Sequence, residues 1–203
     1  MGKLEQLKKD FVIDQAMRLF EKDGIAGVTV ADIAAACEMG EATIYRYFGK
    51  KQNIVLACGI RMADRILNVM NRTEENLSGF AQLRRFYGIF PEVFRRQPEL
   101  YRFIYRFDAY LVQEKLEDLN EYEDTLDSFK EIFDRSYARG LEDGTVCALE
   151  KPEIFYYATT HALLNLCKKL SMEPITAKDT QISKTEEIET VITLILNGLR
   201  KEA

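Results

Sequence analysis

The hydrophobic positions along the chain recur every three or four residues, which is the period of an amphipathic α-helix. One helical face of residues 5–23 carries Ile13, Ala16, Met17 and Phe20. Gly24 then marks a stop, and three further helices are predicted: one beginning after Thr29, one over about residues 41–48 and one over about residues 50–76. No run of alternating apolar and polar residues is long enough to predict a strand. The fold class is therefore all-α.

The second half of the chain continues the helical pattern, and prolines lie at the ends of predicted helices or inside them. Helices are predicted at about residues 80–96, from Pro98, at about residues 117–141, from Pro152 to Pro174, and at about residues 184–200. Proline suits the first turn of a helix, as at Pro98 and Pro152. Inside a helix it removes a backbone hydrogen bond, so we expect a kink or break at Pro91. Residues 171–183 read as a loop.

Residues 29–48 contain a sequence motif that predicts a function. Thr29 followed by Asp32 is a capping box, and Gly40 separates the short helix it opens from a second short helix. With the helix before them they form a three-helix helix-turn-helix unit. In such a unit the second short helix enters the DNA major groove, while Ile44 and Phe48 would hold it to the core.

The outer face of this unit supplies the predicted DNA contacts. They are Thr29, Gly40, Glu41, Ala42, Thr43, Tyr45, Arg46, Tyr47, Lys50 and Lys51. Arg46 has the geometry to bind guanine or phosphate, and tyrosine hydroxyls donate to phosphate. Lysines at a helix start, as at Lys50 and Lys51, favour phosphate as well. The competing interpretation is an ordinary exposed helix in a bundle.

Charge gives modest support to this assignment. The formal net charge is −5, which by itself argues against nucleic acid. Residues 1–60 are neutral, however, with eight basic and eight acidic side chains, so the excess acid lies in the remainder of the chain. The helix-turn-helix segment is thus the part that DNA repels least.

Cysteine, histidine and hydropathy patterns argue against several other classes of protein. The four cysteines form no Cys-x-x-Cys pair and His161 is the only histidine, so no zinc site or other metal site is expected. No nucleophile motif or glycine-rich phosphate loop suggests an enzyme, so neither catalytic residues nor a cofactor is predicted. No signal peptide or membrane-spanning run is evident, which predicts a cytoplasmic protein that does not enter a membrane.

Residues 10–60 resemble the DNA-binding domain of the tetracycline-repressor (TetR) family. The family pattern of Thr-Val, Ile-Ala and Thr-Leu-Tyr-x-Tyr-Phe, with a lysine three residues on, is matched by four segments. They are Thr29-Val30, Ile33-Ala34, Thr43-Ile44-Tyr45-Arg46-Tyr47-Phe48 and Lys51. Three positions depart from the pattern: Glu38 replaces the turn glycine, Gly40 a common serine and Ala42 a common glycine. Glu38 and Glu41 add negative charge near the duplex.

The resemblance implies an organisation for the rest of the chain. Residues 1–49 would form the DNA-binding domain, and residues 50–203 a helical domain that binds a small molecule and dimerises. The last two helices would form the homodimer interface with a second copy. The helix over about residues 50–76 would transmit the effect of the ligand to the DNA-binding domain.

Aromatic residues of the second domain are the candidate ligand contacts. The candidates are Phe103, Phe107, Tyr110, Phe129, Phe133, Tyr137 and His161. Aromatic stripes at helical spacing are more often plain core, and that interpretation stays open for each of these residues. For His161 the alternative is a position in the core or at the dimer seam.

The predicted function is that of a TetR-like transcriptional regulator. It would be a repressor that a small-molecule ligand releases from a palindromic double-stranded DNA operator. Two other classes compete with this hypothesis. One is an enzyme. The other is a helical protein-interaction module whose DNA-binding motif has decayed, an alternative that Glu38 and Glu41 keep open.

Overall fold

The computed structural model describes residues 2–70, 76–116 and 118–201, and within these ranges the protein is helical. The α-helices are α1 (Lys3–Asp23), α2 (Val30–Ala36), α3 (Glu41–Phe48), α4 (Lys51–Met70), α5 (Gly79–Arg96), α6 (Pro98–Glu114), α7 (Asn120–Glu142), α8 (Pro152–Ser171) and α9 (Lys184–Leu199). The described part of the chain contains no β-strand, only an isolated antiparallel bridge between Val146 and Arg200. The predicted all-α fold is confirmed.

Most of the predicted helix boundaries agree with the structure to within a few residues. Pro98 and Pro152 open α6 and α8 as expected. Of the kink or break expected at Pro91, the break is wrong, because α5 runs through this residue without interruption, and the kink stays a prediction. The predicted loop at 171–183 contains one 3-10 turn, Ala177–Thr180. The predicted start of a helix at residue 117, and the stretch 71–75 of the predicted long helix, lie outside the described residues.

The chain folds into two compact units. The first comprises residues 1–64 and 102–124, and the second comprises residues 65–101 and 125–203. α4, α6 and α7 each contribute residues to both units. The predicted domain boundary at residue 49 stays a prediction.

The first unit is built around the apolar faces of α1 to α4. Val12, Phe20, Ile33, Ile44 and Ile54 are fully buried. From α6, the Phe107 ring lies so close to Gly59 of α4 that a side chain at residue 59 would overlap the ring. α3 packs against α2 and buries Ile44, whereas its residues Glu41, Ala42, Tyr45 and Arg46 are exposed.

The second unit has an aromatic core. The rings of Phe86 and Phe133 each contact those of Tyr87 and Tyr156 and contact each other, with ring centroids 5.1–6.4 Å apart. The buried Tyr87 hydroxyl lies 2.7 Å from the Thr159 hydroxyl oxygen, so its hydrogen-bonding capacity is satisfied. This core joins α5 to α7 and α8.

Within the described residues, no helix is long and apolar enough to cross a membrane.

Candidate nucleic-acid interface

The capping box that opens α2 forms as predicted. The Thr29 amide donates to the Asp32 carboxylate at 2.8 Å, and the Asp32 amide donates back to the Thr29 hydroxyl at 3.2 Å. The Thr29 hydroxyl also donates to Asp32, at 2.6 Å. These bonds from Thr29 lower the pKa of Asp32, since they favour the charged carboxylate. Thr29 therefore fixes the start of α2, on an exposed edge of the unit.

The turn between α2 and α3 is a Schellman motif with an unusual residue at its centre. The Met39 amide donates to the Ala34 carbonyl at 2.9 Å, and the Glu38 amide donates to the Ala35 carbonyl at 3.1 Å. Glu38 has φ +53°, in the left-handed region that glycine tolerates best. Glu38, which replaces the turn glycine of the TetR pattern, therefore lies at the position where the backbone conformation favours glycine.

The recognition-helix candidate α3 is held by one residue and exposes most of the others. Ile44 is fully buried, whereas Tyr45 is 48% exposed. Glu41, Ala42 and Arg46 are exposed as well. Small side chains at the start of the helix leave room for close approach to a duplex.

Arg46 packs on its neighbour Tyr47. Its guanidinium carbon lies 5.1 Å from the centre of the Tyr47 ring, and its Nη2 donates to the Tyr47 hydroxyl at 3.4 Å. Tyr47 and Thr43 are half-buried. The contact holds Arg46 beside Tyr47 on the surface of the unit, where its remaining N–H groups stay available.

The two lysines that follow α3 differ in their surroundings. Lys50 is exposed. The Lys51 ammonium donates to the Ile25 carbonyl at 2.6 Å and lies 5.7 Å from the centre of the Tyr110 ring. Burial lowers the pKa of Lys51, against the opposing effect of the Glu114 and Asp32 carboxylates. Lys51 therefore ties the start of α4 to the segment after α1.

Several side chains that support this face were missed by sequence reasoning. Asn53 donates to the Phe48 carbonyl at 2.6 Å, which caps the end of α3. Arg61 of α4 bonds Asp10 and Asp14 of α1. Arg106 of α6 donates to the Phe20 and Glu21 carbonyls at the end of α1, at 3.4 and 3.3 Å. The Arg61 and Arg106 contacts join residues far apart in sequence, so helical periodicity carries no signal for them.

Comparison with protein families identifies this unit. The model of the family described as "Bacterial regulatory proteins, tetR family" matches residues 12–58, which span the end of α1, both short helices and the first part of α4. Residues 12–58 of this chain are therefore similar to the DNA-binding region of that family.

Two curated relatives are similar to part of this chain. The HTH-type transcriptional regulator YerO of Bacillus subtilis is 32% identical over 72 residues, which are 36% of this chain and 25% of YerO. AlkX of Mycobacterium tuberculosis, also an HTH-type transcriptional regulator, is 32% identical over 89 residues, which are 42% of either chain. The alignments thus span less than half the length of either relative.

Solved structures extend the similarity of fold to nearly the whole chain. FadR of Bacillus subtilis, solved in complex with stearoyl-CoA, has a TM-score of 0.70 at 15% identity, covering 93% of this chain and 98% of FadR. The TetR-family regulator PfmR of Thermus thermophilus has a TM-score of 0.66 at 19% identity, covering 94% and 99%. At these identities the likeness establishes the fold.

The seven predicted ligand residues are divided between the two units. In the first unit, Phe103 and Phe107 stack with centroids 5.8 Å apart, and Tyr110 is buried beside Lys51. In the second, Phe133 and Tyr137 stack at 6.0 Å, and the Tyr137 hydroxyl accepts a hydrogen bond from the Leu149 amide. Their assignment to a ligand stays a prediction.

The remaining two predicted ligand residues also lie in the second unit. Phe129 is half-buried, and His161 is exposed on α8 with its ring centre 5.7 Å from that of Tyr157. The second unit also contains a cavity of about 200 Å³, which none of the seven predicted ligand residues lines.

Proposed function

We propose that the chain is a DNA-binding transcriptional regulator that inserts α3 into the major groove. One observation carries this proposal: α3 is anchored by Ile44 and presents Ala42, Tyr45 and Arg46 to solvent. The major groove, about 12 Å wide, admits a helix of this kind. Arg46 would bind guanine or a phosphate, and Lys50 and the tyrosine hydroxyls would bind phosphates.

Lys51 has a different role in this proposal. Its ammonium already donates to the Ile25 carbonyl, so its first task is to position the start of α4. The amide nitrogens at that helix start then face the phosphate backbone together with Lys50.

The functional form would be a homodimer joined through α8 and α9. Their exposed faces carry apolar side chains, among them Ile154 at 60% exposure and Leu194 at 66%. Tyr157, Ala158 and Ala162 continue the same face of α8. An apolar patch on two adjacent helices favours burial against a second copy. A two-fold dimer would present two α3 helices to a palindromic operator, about one turn of DNA apart or a multiple of it.

Regulation would follow from a small molecule bound in the second unit. FadR, one of the structural relatives, was solved with stearoyl-CoA, and another is described as a ketosteroid regulator, KstR2. Both names support an effector of low polarity. A ligand that prefers a state with misplaced α3 helices would release the operator, with a coupling of about 1–3 kcal/mol. α4 contributes residues to both units and would carry this change. The protein would then act as a repressor.

Selection of tight-binding duplexes from a random pool tests the DNA-binding proposal. The wild-type chain should enrich a palindrome at low salt, and Arg46→Ala should abolish the enrichment. Arg84→Ala is the matched control, because Arg84 is an exposed arginine of α5 in the other unit and should leave the enrichment intact. A wild-type chain that enriches no sequence would refute the proposal and favour the protein-interaction module.

A further inference from the structure

The second unit contains a cavity of about 200 Å³, and six of the ten residues that line it are apolar. It is lined by Val69 and Met70 at the end of α4, Leu77 before α5, Phe86 and Ile89 on α5, and Ile132 on α7. Small-molecule sites of drug-like size are usually about 300–1,000 Å³. A volume below that range suits a single hydrocarbon chain or one ring.

Four polar side chains also line the cavity, and three of them are already engaged. The Gln82 amide donates to the Leu77 carbonyl at 3.1 Å, and the Ser136 hydroxyl donates to the Ile132 carbonyl at 2.7 Å. Glu92 forms an ion pair with Arg96 at 3.4 Å, which offsets its charge. These contacts leave little polar capacity directed at a ligand.

Arg85 is the fourth polar residue, and its position is different. It lies on α5 one residue before Phe86, exposed at the edge of the cavity, and it makes no ion pair within the described residues. The cavity therefore combines six apolar side chains with a guanidinium whose charge no described carboxylate neutralises. A guanidinium binds carboxylates and phosphates with paired, charge-assisted hydrogen bonds.

We propose that this cavity binds a small amphipathic anion: an apolar chain or ring in the interior, with one carboxylate or phosphate group against Arg85. This inference rests on the proposed function, since it names the chemical class of the effector. A neutral or cationic head group on the same apolar body should bind less well, because only an anion gains the contact with Arg85.

Isothermal titration calorimetry on the full chain, without DNA, tests this assignment with four probes that share one tail. The probes are octanoate, octyl phosphate, 1-octanol and octylamine. At least one of the two anions should bind about tenfold more tightly than 1-octanol or octylamine. A preference for octanoate would identify a carboxylate as the head group, and a preference for octyl phosphate would identify a phosphate. Equal binding of all four probes, or tighter binding of octylamine, would overturn the proposal.

Two arginine variants test the role of the guanidinium. Arg85→Gln should weaken binding of the preferred anion by about fivefold or more and leave 1-octanol unchanged. Arg84→Gln is the control, because Arg84 is the exposed neighbour on α5 and does not line the cavity. Equal losses in the two variants would indicate a general charge effect and refute the assignment of Arg85.

A third variant tests the cavity itself. Val69 is 41% exposed and lines the cavity, so Val69→Trp should fill it from the rim without disturbing the core. Binding of the anion should then be lost while the thermal unfolding transition is retained. Val112→Trp, at a 79% exposed position in the first unit, should leave binding unchanged. Retained binding in a folded Val69→Trp protein would place the ligand elsewhere and overturn the proposal.

The calorimetry tests the ligand class and the duplex selection tests the regulator, so a negative result in one experiment leaves the other proposal untouched. Anion binding without any enriched duplex would refute the regulator and leave the cavity assignment standing. An enriched palindrome without anion binding would refute the ligand class alone.

Discussion

At the scale of single residues, Glu38 departs from the TetR-family pattern that residues 10–60 resemble. The Schellman turn after α2 requires a left-handed residue, and Glu38 adopts φ +53° to supply it. A side chain in this conformation costs about 1–2 kcal/mol through crowding of its Cβ against the backbone. Sequence reasoning identified the substitution of glycine, and the structure adds the reason why glycine is favoured there.

Glu38→Gly should therefore raise the free energy of unfolding by about 1 kcal/mol, because glycine adopts this conformation without strain. Urea denaturation measures the change. Glu38→Ala is the control, since it removes the same charge and keeps the Cβ. An equal gain in both variants would assign the effect to the charge instead of the backbone.

The capping box makes the stability of the protein depend on pH in the acid range. Hydrogen bonds from Thr29 hold the pKa of Asp32 below its ordinary value of 3.8. A lowered pKa in the folded state means that Asp32 stabilises the fold above the unfolded-state pKa, and that this contribution is lost as the pH falls through the folded-state pKa.

Asp32→Asn should accordingly be less stable than the wild type at neutral pH, and the difference should shrink as the pH falls below about 4. Thermal melts across that range measure it. Asp64→Asn offers a control, because Asp64 is an exposed carboxylate of α4 for which no hydrogen bond is found among the described residues. A pH-independent difference for Asp32→Asn would show that its charge plays no part.

At the scale of helices, local signals predicted most boundaries. Thr29, Pro98 and Pro152 start helices through their own backbone chemistry, so the sequence suffices to place them. Pro91 is the exception, because its effect depends on tertiary packing. α5 buries residues on both sides of Pro91, including Leu83, Tyr87 and Phe94, and this burial outweighs one lost hydrogen bond.

Two glycines of α5 should respond to alanine in opposite directions. A Cβ at Gly79 would overlap the backbone of Gly140 in α7, whereas a Cβ at Gly88 meets no atom within 4 Å. Gly79→Ala should lower the free energy of unfolding by about 2 kcal/mol, because a backbone must move. Gly88→Ala should raise it by about 0.5–1 kcal/mol through helix propensity. Chemical denaturation of both variants checks the signs, and a stabilising Gly79→Ala would contradict the close contact.

At the scale of the whole molecule, the sequence predicts which side chains are buried better than it predicts which helices pack against one another. The aromatic spacing of α6 and α7 leaves two interpretations open for Phe107 and Phe133, a ligand contact or the core, and both residues are fully buried. It gives no sign that Phe107 packs in the first unit and Phe133 in the second. The cavity was not predicted for the same reason: its walls come from α4, α5 and α7, which only tertiary packing brings together.

The proposed homodimer gives a prediction for the assembly. Leu194 is a 66% exposed leucine on α9, and an arginine there would place a charge in the proposed interface. Leu194→Arg should convert a dimer into a monomer, as measured by light scattering after size-exclusion chromatography. Val112→Arg, at a still more exposed position on α6, should remain dimeric. A wild-type monomer, or a dimeric Leu194→Arg, would argue against this interface.

The mixed charge around α3 leads to a prediction about how the affinity for DNA depends on salt concentration. Arg46 and Lys50 are exposed within the same short segment as the exposed carboxylates of Glu38 and Glu41, and these negative charges partly offset the attraction to phosphate. If a dimer makes about 6–10 phosphate contacts, its affinity for DNA should fall about 10³- to 10⁵-fold between 50 and 200 mM salt.

Glu41→Gln should raise the affinity for DNA most at low salt, where the carboxylate is least screened. Fluorescence anisotropy with the selected duplex measures both effects. Glu142→Gln serves as the control, because Glu142 is an exposed carboxylate of the other unit and should leave both unchanged. Affinity that ignores salt would mean that this face does not bind the phosphate backbone, and α3 would then be a surface for protein partners.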